Sequence, residues 1–381
     1  MTASAFKRTA VSALIPAAIA LCAGVLVAGP LTPPSGPVAS TYKTLSEVEP
    51  RIALNQANTP GSASKLFRIT QPGSYYLTGN AAAAASQGGI EIAANNVTID
   101  LNGFELSGIA AGTASGIDTD AAGRTNITVK NGTVRSFGGY GVALITAKHV
   151  HLLNVNAVSN GEVGLRAGAA SVIEECIASD SGGTGNGNGI IAGEASTVSR
   201  CAAYQNDGLG ISVGAGSVVE LCTAKGNGTS GISISDGGTI RGCASMANTG
   251  NGISAYNGVL ITDCTAADNI GNGISVFNSC TIRGNTCKGN GAGASTGAGI
   301  QLSGNDTHVE QNTCTGADKG INADFTGNFI NRNTCAGNTS NYTIVAGNAC
   351  YVVNASIAGA INGNSGGISF GSSDPNANFA Y

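Results

Sequence analysis

The chain has 381 residues, including 58 glycines and 37 asparagines, and only 10 % of its residues are charged. This charged fraction, far below the roughly 25 % of an average soluble domain, excludes a charged coiled coil. A formal net charge of −4 provides no basic surface for nucleic acid, so no nucleic-acid partner is expected. The apolar fraction of 42 % argues against intrinsic disorder.

A secretory signal peptide is predicted over residues 1–28. Lys7 and Arg8 precede an apolar run that is broken by Pro16 and ends in small residues, as expected for a cleavable leader. A membrane anchor is the alternative, because the run approaches spanning length. After cleavage we expect no membrane span and a secreted, periplasmic or cell-surface location. The proline-rich segment 29–42 predicts an extended spacer.

A repeat of 21 residues runs through the centre of the chain. Cysteine, asparagine, glycine and serine each recur at this spacing over four consecutive units, and an isoleucine follows each glycine. The columns are Cys201, Cys222, Cys243 and Cys264; Asn206, Asn227, Asn248 and Asn269; Gly210, Gly231, Gly252 and Gly273; and Ser212, Ser233, Ser254 and Ser275. Less regular copies extend the pattern over residues 67–344. A fixed period of this length indicates a repeat architecture.

The repeat unit predicts a parallel β-helix. Glycine or asparagine interrupts each unit too often for a helix of ordinary length. A leucine-rich repeat is the alternative, but its leucine positions hold Val, Ile, Ala and Ser, and no amphipathic half-unit follows the asparagine. Strands stacked about 4.8 Å apart would place identical residues above one another. We therefore expect an all-β, single-stranded solenoid of about 12–13 coils, with asparagine ladders at its bends.

The cysteines predict a buried thiol ladder. Ten of the 11 cysteines lie beyond the signal peptide, and eight of these fall in two interior columns of the repeat. Stacked strands bring Cα atoms within disulfide range, but their parallel Cβ vectors are poorly oriented for bridging, so disulfides are the alternative. Cys280 and Cys350 lie outside the columns and could be bridged or exposed. Metal bound through cysteine is not expected, because the chain has no Cys-x-x-Cys motif.

Three segments share a pattern with a known group of proteins: 43–51 (KTLSEVEPR), 69–77 (ITQPGSYYL) and 97–104 (VTIDLNGF). In these segments the chain resembles secreted bacterial right-handed parallel β-helix repeat proteins of the pectin-lyase-like superfamily. The resemblance implies a right-handed solenoid. It implies no activity, because this group mostly has none assigned and the superfamily includes lyases, hydrolases, epimerases, tailspikes and adhesins.

Both ends of an apolar column need covering, so caps are predicted at both ends of the solenoid. Residues 43–66 are expected to form the N-terminal cap, residues 67–357 the β-helix, and residues 358–381 the C-terminal cap or tail. Within the first cap, the apolar side chains expected to form a lid are Leu45, Val48, Ile52 and Leu54.

The outward position after each Gly-Ile step predicts a polar stripe along one sheet. Near the N-terminal end, in a region named here the lower zone, the stripe and its neighbouring row hold Glu91, Asp118, Asp120 and Arg166. Carboxylates on neighbouring coils could hold Ca²⁺. By the superfamily resemblance, Arg166 could then abstract a proton from a uronate, as in related lyases. The alternative is that these acids only face water and discourage edge pairing.

A second candidate region, named here the upper zone, lies further along the same stripe. It combines the serine column Ser212, Ser233, Ser254 and Ser275 with Tyr256 and Phe277. A flat polar strip with aromatic side chains is a candidate sugar-binding surface, and the alternative is a solubilising face that recurs because the unit was duplicated.

Two functions follow from these zones. The first is an exported, non-catalytic protein whose repetitive surface binds glycans or cell-envelope components. The alternative is a polysaccharide lyase or related carbohydrate-active enzyme that acts on acidic polysaccharide with Ca²⁺. The short, Ala/Gly/Ser-rich insertions favour the first, because an enzyme groove would be walled by long loops.

Overall fold

The computed structural model describes residues 49–183, 187–291, 297–354 and 376–381. The predicted signal peptide and spacer lie outside the described residues, as do Leu45, Val48 and most of the predicted C-terminal cap. The described residues contain strands and no helix, and the strands stack in parallel into three ladders. The all-β solenoid predicted from the repeat is therefore confirmed.

Sheet I contains the strands that begin at the Gly-Ile steps, and each strand pairs with its equivalents in the turns before and after it. The described residues contribute 13 strands to this sheet. They are Lys65–Ile69, Gly88–Ile92, Ile117–Thr119, Val142–Leu144, Leu165–Ala167, Ile190–Ala192, Ile211–Val213, Ile232–Ile234, Ile253–Ala255, Ile274–Val276, Ala298–Leu302, Lys319–Ala323 and Ser340–Ile344.

The other two ladders are joined because Thr125–Arg135 and Lys148–Val158 are long enough to belong to both. Ladder II also contains Ile52–Ala53, Gly73–Tyr76, Val97–Asp100, Val172–Glu174, Thr197–Ser199, Val218–Glu220, Thr239–Arg241, Leu260–Thr262, Thr281–Arg283, His308–Glu310, Phe329–Asn331 and Ala349–Cys350. Ladder III also contains Ala81–Ala82, Glu105–Ser107, Ile177–Ser179, Ala202–Tyr204, Thr223–Lys225, Ala244–Met246, Thr265–Ala267, Thr286–Lys288, Thr313–Thr315, Thr334–Ala336, Val352–Asn354 and Asn378–Ala380.

The sequence columns become columns in space. Ile211 pairs with Ile232, which pairs with Ile253, and all three side chains are fully buried. The solenoid has about fourteen turns, slightly more than expected, because the strand Ile52–Ala53, which lies inside the segment predicted to be a cap, pairs with Gly73–Tyr76. Leu54 in that segment is buried, whereas Ile52 is exposed.

Corners between the strands are made by residues in the left-handed backbone region. Arg200 (φ 53°), Leu221 (φ 54°) and Gly242 (φ 60°) occupy one column between ladders II and III. The left-handed region costs an L-residue about 1–2 kcal/mol, and glycine and asparagine tolerate it best. The abundance of these two residue types is thus explained in part by the number of corners in the coil.

Buried asparagines form hydrogen-bonded ladders along the solenoid axis. Asn227 Nδ2 donates to Asn248 Oδ1 (2.9 Å), and Asn248 Nδ2 donates to Asn269 Oδ1 (2.9 Å). Asn248 is fully buried, and its Oδ1 also accepts from the Asn227 backbone N–H (2.9 Å). A second ladder ends at the C-terminal strand, where Asn333 Nδ2 donates to Asn378 Oδ1 (3.0 Å). The predicted asparagine ladders are therefore confirmed.

The described cysteines beyond the signal peptide are all unbridged, and nine of these ten are buried. Cys201 and Cys222 stack on consecutive turns, where the Cys201 backbone N–H lies 3.4 Å from Cys222 Sγ. Cys280, for which the sequence left bridging or exposure open, is buried and free. Burial raises the pKa of the half-buried Cys350 thiol to about 11, so this thiol is protonated at neutral pH.

No helix in the part of the chain that the structure describes is long and apolar enough to cross a membrane.

The asparagine ladder generates a test with a matched control on the protein surface. Asn248→Ala should destabilise the protein by about 3 kcal/mol or more, because it removes the buried Oδ1 that accepts from both the backbone N–H and the side-chain amide of Asn227. Asn257→Ala removes an asparagine from an exposed ladder, where water replaces its bonds, and should cost less than about 1 kcal/mol. Denaturant unfolding measures both, and equal losses would contradict the structural role of the buried ladder.

Candidate functional site

The predicted polar stripe runs along sheet I in the expected register. Arg68 pairs with Glu91, Glu91 with Asp118, Asp118 with Ala143, and Ala143 with Arg166. The stripe continues through the upper zone as Ser212, Ser233, Ser254, Ser275, Gln301, Asn322 and Thr343. All the site residues predicted from the stripe column thus lie in one line on one face.

Every carboxylate of the lower zone is engaged by a cation. Arg68 Nε lies 3.1 Å from Glu91 Oε2. Arg124 donates to Asp120 Oδ1 from Nη2 (2.8 Å) and from Nε (2.9 Å). Asp118 forms an ion pair with Lys65. The charges of Glu91, Asp118 and Asp120 are thereby balanced within the zone.

Asp118 has a raised pKa. Burial raises its pKa, while the contact with Lys65 lowers it and the nearby charge of Glu91 raises it. The side chains of Lys65 and Asp118 are only 18 % and 21 % exposed. Lys65 reaches Asp118 across Gly88, where an added Cβ would lie 3.1 Å from the lysine side chain. Gly88 therefore leaves room for a contact that spans three strands.

Arg166 is not brought into contact with these acids. Ala143 lies between Asp118 and Arg166, which places the two residues about 10 Å apart along the sheet. The Arg166 guanidinium instead lies beside Tyr140, with Nη1 3.4 Å from the phenolic oxygen.

The lower zone, as folded, does not fit a calcium ion. A Ca²⁺ site needs several oxygen ligands free to converge on the ion, but Glu91, Asp118 and Asp120 face basic side chains. Among the described residues there is no group of three or more His, Cys, Asp or Glu side chains arranged to hold a metal. Calcium binding remains a prediction that the sequence raised.

The upper zone presents three parallel rows of side chains. The first row contains the serine column, half-buried and in register. The second row contains Tyr256 and Phe277, whose rings stack 5.4 Å apart at 11° and are 50 % and 42 % exposed. The third row is an exposed ladder in which Asn257 Nδ2 donates to Asp236 Oδ1 (3.1 Å) and Asn278 Nδ2 donates to Asn257 Oδ1 (2.9 Å).

The serine stripe ends in a cluster of amides and a carboxylate. Asp324 Oδ2 accepts from Gln301 Nε2 (2.9 Å), and Asp324 Oδ1 accepts from Asn322 Nδ2 (3.1 Å). Asn322 Nδ2 also donates to Gln301 Oε1 (2.7 Å). Asp324 lies in the same row as Phe277, with Ser303 between them, so the aromatic row is followed by a fixed negative charge.

Sequence reasoning missed the basic residues of the lower zone. Arg68 was detectable, because Phe67-Arg68-Ile69 has the same inward–outward alternation as the next strand and extends the stripe by one turn. Arg124 lies four residues after Asp120, and without a known backbone this spacing does not predict their ion pair. Lys65 lies at a strand end, and its reach to Asp118 depends on the space over Gly88, for which the sequence contains no signal.

Comparisons with known proteins agree with this architecture. Residues 115–260 match the family described as "Right handed beta helix region". The A-module of Azotobacter vinelandii mannuronan C-5 epimerase AlgE4 aligns with a TM-score of 0.56 and 17 % identity, over 78 % of this chain and 87 % of that one. The A-module of AlgE6 from the same organism aligns with a TM-score of 0.49 and 16 % identity, over 86 % of each chain.

The Dettilon tailspike protein gp208 aligns with a TM-score of 0.52 and 15 % identity, over 75 % of this chain and 61 % of the tailspike. No curated protein sequence matches the chain significantly. At such identities the likeness concerns the fold, which is shared by proteins of different activity.

The ion pairs of the lower zone predict how the protein responds to calcium. Because a divalent ion would have to displace Lys65, Arg68 and Arg124, we expect Ca²⁺ to leave the melting temperature unchanged. A ligand that binds only the folded state must raise its stability, so thermal melting across a calcium titration is decisive. A rise that disappears in an Asp118→Ala/Asp120→Ala variant would contradict the expectation and restore the calcium site.

Proposed function

We propose that this chain, which folds as a parallel β-helix and matches the right-handed β-helix family over residues 115–260, binds polysaccharide along sheet I without catalysing a reaction. Its fold is related to those of carbohydrate-active enzymes and a tailspike. The observation that carries the proposal is the exposed, stacked pair of Tyr256 and Phe277 between the serine row and the asparagine row.

The three rows match the chemistry of a sugar chain. The C–H face of a pyranose is apolar and packs on an aromatic ring, whereas its equatorial hydroxyls need hydrogen-bond partners at the edges. Ser254 and Ser275 lie on one side of the rings, and the amides of Asn257 and Asn278 lie on the other. Because the serines lie on strands and the asparagine amides are held in the exposed ladder, little side-chain entropy is lost when a ligand binds.

The rigid backbone under the rows favours an extended ligand over a small molecule. Ser212, Ser233, Ser254 and Ser275 lie in register on four consecutive strands. Strands about 4.8 Å apart therefore repeat the same hydroxyl along the sheet, and a polymer with repeating sugars can engage several copies at once.

The proposal predicts that the aromatic pair carries the affinity. Tyr256→Ala/Phe277→Ala should weaken polysaccharide binding at least about tenfold, because stacking on both rings is lost. Tyr204→Ala is the matched control, since Tyr204 is also exposed (42 %) but lies on ladder III. Affinity electrophoresis against a panel of polysaccharides measures both variants. Retention of full binding by the double variant would overturn the proposal.

A second candidate is a lyase-type activity on acidic polysaccharide at the lower zone. It is favoured by the half-buried Asp118, whose pKa is raised by burial. It is also favoured by Arg166, which lies two strands further along the same stripe with Tyr140 beside its guanidinium. Arginine can hold a uronate carboxylate, and in this candidate the phenolic oxygen of Tyr140 accepts the proton.

This second candidate predicts unsaturated products, which absorb in the ultraviolet, when the protein is incubated with acidic polysaccharides. Arg166→Ala should abolish their formation, because the uronate would lose its anchor. Arg200→Ala, which removes an arginine paired with Glu174 on ladder II, should leave it intact. The absence of such products with the unmodified protein would exclude this candidate.

A further inference from the structure

We propose that the upper zone selects uncharged glycans and rejects uronate-containing ones, an inference that rests on the proposed function and names the ligand class of that site. It comes from the charges around the aromatic pair. Among the described residues, the rows of the upper zone contain carboxylates and no lysine or arginine.

The charge pattern is one-sided. Between the strands Ile190–Ala192 and Ser340–Ile344, the described residues of the three rows include Glu194, Asp236 and Asp324 and no lysine or arginine. Lys319 lies at the start of its strand, outside the rows and next to Asp318. Unlike the acids of the lower zone, these carboxylates have no basic side chain beside them in the rows.

Two of these carboxylates bracket the rings. Asp236 lies one turn before Tyr256 and is held at the end of the asparagine row, because its Oδ1 accepts from the Asn257 backbone N–H (2.9 Å) and side-chain amide (3.1 Å). Asp324 lies two turns after Phe277 in the aromatic row, held by Gln301 and Asn322. Strand spacing places them about 5 Å and 10 Å from the nearer ring along the sheet.

A glycan stacked on both rings would pass over or beside both acids. Each uronate carboxylate would then meet a protein carboxylate at a distance close to the screening length of about 8 Å at physiological salt. An uncharged sugar would instead gain acceptors, since an ionised aspartate accepts hydrogen bonds from hydroxyl groups. The same two side chains thus repel one class of ligand and bind the other.

The test uses polymer pairs that share a backbone and differ in charge: methyl-esterified against de-esterified pectin, and hydroxyethyl- against carboxymethyl-cellulose. The unmodified protein should bind the uncharged member of a pair at least about tenfold more tightly at low salt. Asp236→Asn/Asp324→Asn should narrow that ratio to near unity. Asp236→Asn alone should reduce the affinity ratio in part. This single variant leaves the amide cluster around Asp324 intact, so its effect cannot come from a disturbed cluster.

Asp263→Asn is the control for net charge, because Asp263 occupies a left-handed corner between ladders II and III, away from sheet I. It should leave the ratio unchanged. If the unmodified protein binds the charged polymers as tightly as the uncharged ones, or more tightly, the proposed selectivity is wrong. The proposed polysaccharide binding would then still hold. Binding to neither member of any pair would contradict the proposed function, and the selectivity would fall with it.

Discussion

Stacking equivalent short strands along one axis is the constraint on which the rest of this structure depends. In the regular turns of about 21 residues the interior is narrow and is filled mostly by Ile, Val, Ala and Cys, whereas larger side chains such as Phe137 are buried in the earlier turns. Polar groups at the inner bends have no access to water. The asparagine amides solve this by bonding along the axis, each to the amide of the next turn. The interior is consequently periodic, and one defective turn affects both neighbours.

Periodicity in the interior forces periodicity on the surface. Since strand residues alternate between faces, a buried Ile column on sheet I requires an outward column beside it. That outward column is where the chain varies: acids and arginines at the N-terminal end, serines in the middle, and amides after Ser275. The scaffold therefore fixes the spacing and direction of surface groups, while their chemistry can change from turn to turn without disturbing the core.

The two zones differ in how their charges are compensated. In the lower zone Lys65, Arg68 and Arg124 neutralise the acids, and the side chains hold one another in place. Such a network contributes to the cohesion of the first turns, where an end of the solenoid would otherwise fray. In the upper zone the acids stand beside exposed aromatic rings and amides, so their charge acts on whatever approaches the sheet. Lone carboxylates beside an apolar platform are more suited to choosing a ligand than to stabilising the fold.

The sequence by itself determined the parallel solenoid, the Ile, Cys and Asn columns and the order of residues along the stripe, because a fixed period in the chain becomes a fixed position in space once turns stack. It also placed Tyr256 and Phe277 side by side, since they occupy equivalent positions of adjacent units. Only the tertiary structure decided that Asp118 is held by Lys65, that Arg166 turns to Tyr140, and that Asp324 is held by Gln301 and Asn322. It alone also placed Asn378, from beyond the regular repeat, at the end of a buried ladder. These contacts depend on how far side chains reach across strands and on the space over residues such as Gly88. Neither can be read from the repeat period of the sequence.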